Sequence, residues 1–155
     1  MSKELYKNLF EAISQEGDVM LRLQNSAEHS EPMYAHVDAD RDLSLWFFMD
    51  KSNRVAGGGL ASVQFVSKDH KLFGSILGRL VEEKDSSLIE QFWSNPTAAW
   101  FEGGIDDPAV HLMRLDLQSA EIWTKSPSLT GAFKLMSGSK VEPEDVGDHA
   151  LVDIK

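Results

Sequence analysis

The sequence predicts a mainly β fold: a small antiparallel β-barrel with helices at its periphery. Three observations carry this. Six or seven short runs alternate apolar and polar residues. One amphipathic helix precedes them and two smaller ones follow, and no period repeats along the chain. The 155 residues suit one domain with a full core. We divide it into an N-terminal helix (1–16), a barrel (17–124) with an inserted helix near 85–95, and a C-terminal helix and tail (125–155).

Ser2 to Gln15 places Leu5, Leu9, Ala12 and Ile13 on one helical stripe, and Gly17 ends it. Val19, Leu21 and Leu23 then alternate as a strand, and Asn25 to Glu31 is polar and turn-like. Met33, Ala35 and Val37 form the apolar side of a half-buried strand. Asp38 to Asp42 is a hairpin turn. Leu43 to Met49 follows, apolar on both faces, which predicts a central, doubly covered strand. Asp50 to Gly59 is polar, with room for one helical turn. Leu60 to Ser67 is a strand, Lys68 to His70 a turn, and Leu72 to Glu82 a long strand that Gly74 and Gly78 would bend or bulge. Ser87 and Glu90 suggest a capping box for a helix through Trp93. Ala109 to Leu117 and Ala120 to Thr124 read as two strands, Ser126 to Ser139 as a helix faced by Leu129, Phe133 and Met136, and Val141 to Lys155 as an acidic surface tail.

Composition excludes several functions. With no cysteine there is no disulfide, thiolate metal site or cysteine nucleophile. A formal net charge of −10 repels a phosphate backbone, so no nucleic acid is expected. No apolar run approaches the ~18 residues of a membrane span, and Met1 to Phe10 lacks a signal-peptide core, so we expect a cytoplasmic protein. The histidines lack the i, i+4 spacing of a helical metal site, so no metal is expected. His111 reads as a core histidine on the face of Met113 and Leu115. Asp106-Asp107-Pro108 reads as a turn, since adjacent carboxylates cannot flank a substrate.

The stretch from Phe92 to Leu115 is the most informative. Its tryptophans and phenylalanines surround Pro96, Gly103, Gly104 and Pro108, and so apolar a loop needs cover from the core, a second subunit or a flat ligand.

Pro32-Met33 opens a strand. Leu45-Trp46-Phe47-Phe48 precedes a polar loop with Ser52. Phe92-Trp93-Ser94-Asn95-Pro96, Ala99-Trp100-Phe101-Glu102-Gly103-Gly104, Asp106-Asp107-Pro108 and Ala120-Glu121-Ile122-Trp123 follow in order, and Gly147 to Asp153 ends the pattern. Over nearly its whole length the chain thus resembles the general stress proteins of the pyridoxamine 5′-phosphate oxidase-like family. The resemblance implies an FMN-binding split barrel acting as a homodimer, with FMN at the subunit interface. Carried onto this sequence, one subunit would contact the flavin through Met33, Tyr34, Ala35, Phe47, Phe48, Met49, Ser52, Asn53 and Arg54. The partner would cover it with Trp100 and with Phe101 or Trp123. Two positions depart from the pattern: Glu31 stands where such proteins commonly carry Arg, and Met49 where they carry Thr or Ser. Ser52, Arg54 and Lys51 are then left to face the phosphate.

The residues leave alternatives open. Trp100 and Phe101 either cover a flavin or fill a dimer interface. Arg54 either pairs with phosphate or is solvated, and Ser52 could equally cap a turn. Gly57-Gly58-Gly59 lacks the spacing of a nucleotide loop and leads flexibly into the next strand. The leading functional reading is a flavin-dependent oxidoreductase in which the cofactor does the redox chemistry; no catalytic acid or base stands out. The second is a non-catalytic dimer that binds flavin weakly or not at all. A deazaflavin or haem chemistry is a weaker third, with His36 or His111 a poor axial ligand.

Overall fold

The computed structural model describes residues 2–125, 138 and 147–154. Apart from Gly138, the helix expected over Ser126 to Ser139 and the acidic residues Glu142, Glu144 and Asp145 lie outside them. In chain order the elements are α1 (Ser2–Glu16), β1 (Asp18–Leu23), β2 (Glu31–Tyr34), β3 (Ser44–Asp50), β4 (Gly59–Val66), β5 (Leu72–Glu82), α2 (Ser86–Phe92), α3 (Asn95–Ala98), a 3-10 turn (Gly104–Asp106), β6 (Val110–Thr124) and β7 (His149–Asp153). Among the described residues, no helix is long and apolar enough to cross a membrane.

The barrel is a ring of antiparallel pairs in the order β2-β1-β4-β5-β6-β3, with β7 added beside β6. A single bridge closes it. His36 N–H donates to the Trp46 carbonyl at 2.7 Å, and Trp46 N–H donates back to His36 at 3.0 Å. Inward side chains from every strand of the ring meet in one core, including Leu21, Ala35, Phe47, Val63, Ile76 and Leu115. Leu5, Leu9 and Ile13 add the stripe of α1 to it. Gly17 stops that helix in a left-handed conformation (φ 80) with its N–H on Ile13 at 2.8 Å. Its own carbonyl takes the Ala35 N–H at 2.8 Å, which fixes the chain just after β2.

β3 departs from the central strand that its apolar faces suggest. Among the described residues it is paired along its length only with β6, and toward β2 it has only the His36 bridge. Its outer face is covered instead by α2, through a second cluster of Trp46, Leu88, Phe92 and Leu112. The helix is capped by Asp85 rather than Ser87: the Asp85 carboxylate accepts from Ser87 N–H at 2.9 Å and from its hydroxyl at 2.6 Å.

The two strands expected at 109–124 are one. β6 runs 15 residues, and its register with β5 slips between Leu77 and Gly78, leaving Gln118 unmatched. This bulge resets the alternation, so that Leu115, Leu117, Ala120 and Ile122 are all buried. A sequence read at strict period two sees an interruption there. Gly78 belongs to the bulge, since a Cβ at that position would meet the Asp116 carbonyl. Gly74 has a different reason: it admits Leu9 of α1, whose Cδ1 lies 2.6 Å from where a Cβ would stand. Gly74→Ala is therefore expected to shift α1 and lower stability by about 1–3 kcal/mol, read from urea unfolding; a change within about 0.5 kcal/mol would contradict this packing.

The polar loop after β3 holds a chain of turns in place of a helix. Asn53, Ala56 and Gly58 donate to Asp50, Asn53 and Val55 at 2.8, 2.9 and 3.0 Å. Buried Val55 pins this loop to the core. The acidic tail also contributes more than a surface, because β7 pairs residue by residue with Ser119 to Trp123 and buries Val152.

Candidate functional site: a split between two strand edges

The ring closes at one point and opens beyond it. Trp46 spends its backbone groups on His36, so the pair Trp46–Arg114 is not hydrogen-bonded in the β3–β6 ladder. By alternation the N–H and C=O of Phe48, and the N–H of Asp50, also turn away from β6. Ala35 N–H points to Gly17 beside β1, so the groups of Tyr34 turn the other way, toward β3. A continued ladder would match Tyr34 with Phe48, yet among the described residues no bridge beyond His36–Trp46 joins β2 to β3. The two edges therefore diverge and leave backbone donors and acceptors facing a gap.

Aromatic rings line the outer face of this split. His36 lies between Tyr34 (centroids 5.0 Å, edge-on) and Phe48 (5.4 Å, edge-on) and also contacts Phe92 at 5.3 Å. Phe48 meets Trp93 at 5.6 Å, and Trp93 meets Phe101 at 6.0 Å. Burial pushes the His36 imidazole down from 6.5 to about 4, so it is neutral at physiological pH. Most of the aromatic loop thus covers itself. The exception is Trp100, which is 84% exposed. Asp107 knots the loop by accepting from Ala109 and Gly103 N–H, both at 2.9 Å, and these bonds hold its carboxyl below the usual range.

Arg54 spans the other end of the split. It lies 3.5 Å from Glu31 at the start of β2 and 3.6 Å from Glu28. Glu31 Oε1 is buried without a hydrogen-bond partner among the described residues. Ser52 donates its hydroxyl to Asp50 at 2.7 Å, and Asn53 Oδ1 accepts from Val55 N–H at 2.9 Å.

The sequence-expected residues therefore divide into groups. Tyr34 and Phe48 stand on either side of the split, each against His36. Met33 packs toward the core, and Ala35, Phe47 and Met49 are buried within it. Ser52, Asn53 and Arg54 surround the far end, already engaged with neighbours. Phe101 is buried, with its ring against Trp93. Trp123 stacks on His149 (5.1 Å, 13°) near the opposite end of β6, roughly 35 Å of strand from the Phe48 level. His111 is only partly buried, with Nδ1 4.0 Å from Glu82. Among the described residues no three metal-ligating side chains cluster.

Sequence reasoning missed the polar anchor behind the site. Buried Glu83 accepts from Trp46 Nε1 at 3.0 Å and from Arg114 at 3.1 Å, and Arg114 also holds Asp116 at 2.8 Å. Burial raises the Glu83 carboxyl, but the indole and guanidinium donors outweigh it and leave it lowered. It sits in a run of charges, Glu82-Glu83-Lys84-Asp85, that gives no sign of an inward residue. A groove of about 850 Å³ also lies beside the closed end of the split, lined in part by Tyr6, Phe10, Tyr34, His36 and Phe92.

The comparisons agree with this architecture. The family model described as pyridoxamine 5′-phosphate oxidase like matches residues 4–146. A general stress FMN/FAD binding protein from Xanthomonas citri is 37% identical, with a TM-score of 0.74, over 82% of this chain and 93% of that one. A candidate general stress protein 26 from Jannaschia sp. CCS1 has a TM-score of 0.83 at 22% identity, over 99% of this chain and 100% of that one, and so speaks for the fold alone. Among curated proteins, none matches the sequence significantly. The chain belongs to the pyridoxamine 5′-phosphate oxidase-like family and has its split-barrel fold.

Proposed function

We propose that the chain binds a flavin in the split between β2 and β3, FMN being the form that the sequence resemblance names, and that it does so as a homodimer whose second copy covers the ring. The observation that carries this is the pair of diverging strand edges. Backbone groups of Tyr34 and Phe48 that pair with neither β1 nor β6 lie beside a run of aromatic rings, and donors and ring faces of this kind suit a flat, amphipathic tricycle. Exposed Trp100 supports a covering partner, because so large an apolar surface is costly in water. The X. citri protein is described as binding FMN/FAD, which supports the same ligand class.

The fit is uneven. The ring meets backbone donors and aromatic faces, whereas a phosphate at the Arg54 end would meet Glu28, Glu31 and Asp50. When bound, a flavin supplies electron and hydride transfer; the residues of this chain hold and shield it. The occupied Arg54 favours, as a second reading, a binding protein without turnover.

Titration with FMN, followed by flavin absorbance and fluorescence, tests the proposal. Binding is expected, weakened about tenfold or more by Phe48→Ala. In Trp100→Ala, loss of flavin with an intact dimer by ultracentrifugation assigns that ring to the ligand. Reduction of the bound flavin by a nicotinamide donor separates enzyme from carrier. Failure to bind at any accessible FMN concentration contradicts the proposal.

A further inference from the structure

We propose that this split selects the ring and polyol chain of a flavin and not its 5′-phosphate, so that riboflavin binds about as tightly as FMN. The inference rests on the flavin reading above.

The Arg54 guanidinium is shared between two carboxylates, Glu28 at 3.6 Å and Glu31 at 3.5 Å. The Ser52 hydroxyl, the other phosphate-compatible group, is committed to Asp50 at 2.7 Å, where its bonds hold the Asp50 carboxyl ionised below the usual range. A phosphate dianion placed here competes with bound carboxylates for one cation and is repelled by each of them.

The carboxylates gathered here, Glu28, Glu31 and Asp50, accept an O–H, which ribityl hydroxyls carry and a phosphate dianion does not. This end of the split is therefore acceptor-rich and suits a neutral polyol, while the backbone edges at Tyr34 and Phe48 serve any flavin ring alike. Glu31 is the specificity-determining residue, because it engages Arg54 from the less exposed side of the pair.

The test is a parallel equilibrium titration of the full chain with riboflavin and with FMN, read by fluorescence quenching, in wild type, Glu31→Gln and Glu28→Gln. Wild type is expected to bind the two within about threefold of each other. Glu31→Gln, which removes one charge and loosens Arg54, is expected to tighten FMN about tenfold while riboflavin stays level or weakens. Glu28→Gln, on the exposed side of the pair, moves FMN the same way by less and serves if Glu31→Gln misfolds. An FMN preference above about tenfold in wild type, or equal shifts of both ligands in the variants, overturns the inference and leaves the flavin reading standing. If neither ligand binds wild type, both fall together.

Discussion

Trp46→Ala is expected to lower the free energy of unfolding by about 4 kcal/mol. The ring is fully buried and forms the centre of the cluster through which α2 docks on β3. Deleting it removes a large apolar surface and opens a cavity between Leu88, Phe92 and Leu112. It also takes the indole donor from Glu83, whose carboxyl lies buried at that spot. Trp46→Phe keeps most of the burial and loses the hydrogen bond, for about 1–2 kcal/mol. Glu83→Gln keeps an acceptor for the indole, and Arg114 keeps Asp116 at 2.8 Å, so about 1 kcal/mol or less is expected. Urea unfolding of the three variants checks the order. Trp46→Ala within about 1 kcal/mol of wild type would show that the cluster does not hold α2.

The second large effect is a pH dependence set by His36. Folding lowers its value from 6.5 to about 4, so the unfolded chain binds a proton that the folded chain resists. The stability is fully present above pH 6.5 and is lost as pH falls from 6.5 toward 4. Integrated over that window, the loss approaches about 3 kcal/mol. The cause is burial beside Tyr34, Phe48 and Phe92, which offer no counter-charge to an imidazolium. Unfolding measured between pH 4 and 7.5 in wild type and His36→Phe isolates the effect, because carboxylates such as Glu83 titrate in both. The two curves should converge near pH 7 in slope and separate below 6.5; parallel curves throughout would refute a partly buried, neutral His36.

Much of the barrel was legible because its strands obey a simple rule. Val19 and Leu21, or Ala61, Val63 and Phe65, are buried at period two, and one buried face is what period two encodes. The errors fall where that rule is broken by pairing. The Gln118 bulge made one strand look like two. β3 is covered on both faces, as its apolar pattern implies, but it is not central, because among the described residues only the His36 bridge joins it to β2. β7 reads as tail in the sequence because only Val152 among its five residues is buried.

The candidate site was legible in part. Resemblance led to Tyr34 and Phe48, and to Glu31 as the residue out of pattern. What no local pattern could give was the partner of each charge. That Arg54 reaches back to Glu28 and Glu31, and that Glu83 turns inward to Trp46, depends on contacts between residues far apart in the sequence. The split itself is likewise a property of closure, since it exists only because a single bridge at His36 and Trp46 ends the pairing of β2 with β3.

Backbone amide resonances recorded during a riboflavin titration test that split most directly. Ligand in the gap should move the N–H signals of Tyr34, Phe48 and Asp50 and slow their exchange with solvent. Shifts confined to the α1 groove around Tyr6 and Phe10, with the two strand edges unmoved at saturation, would contradict it.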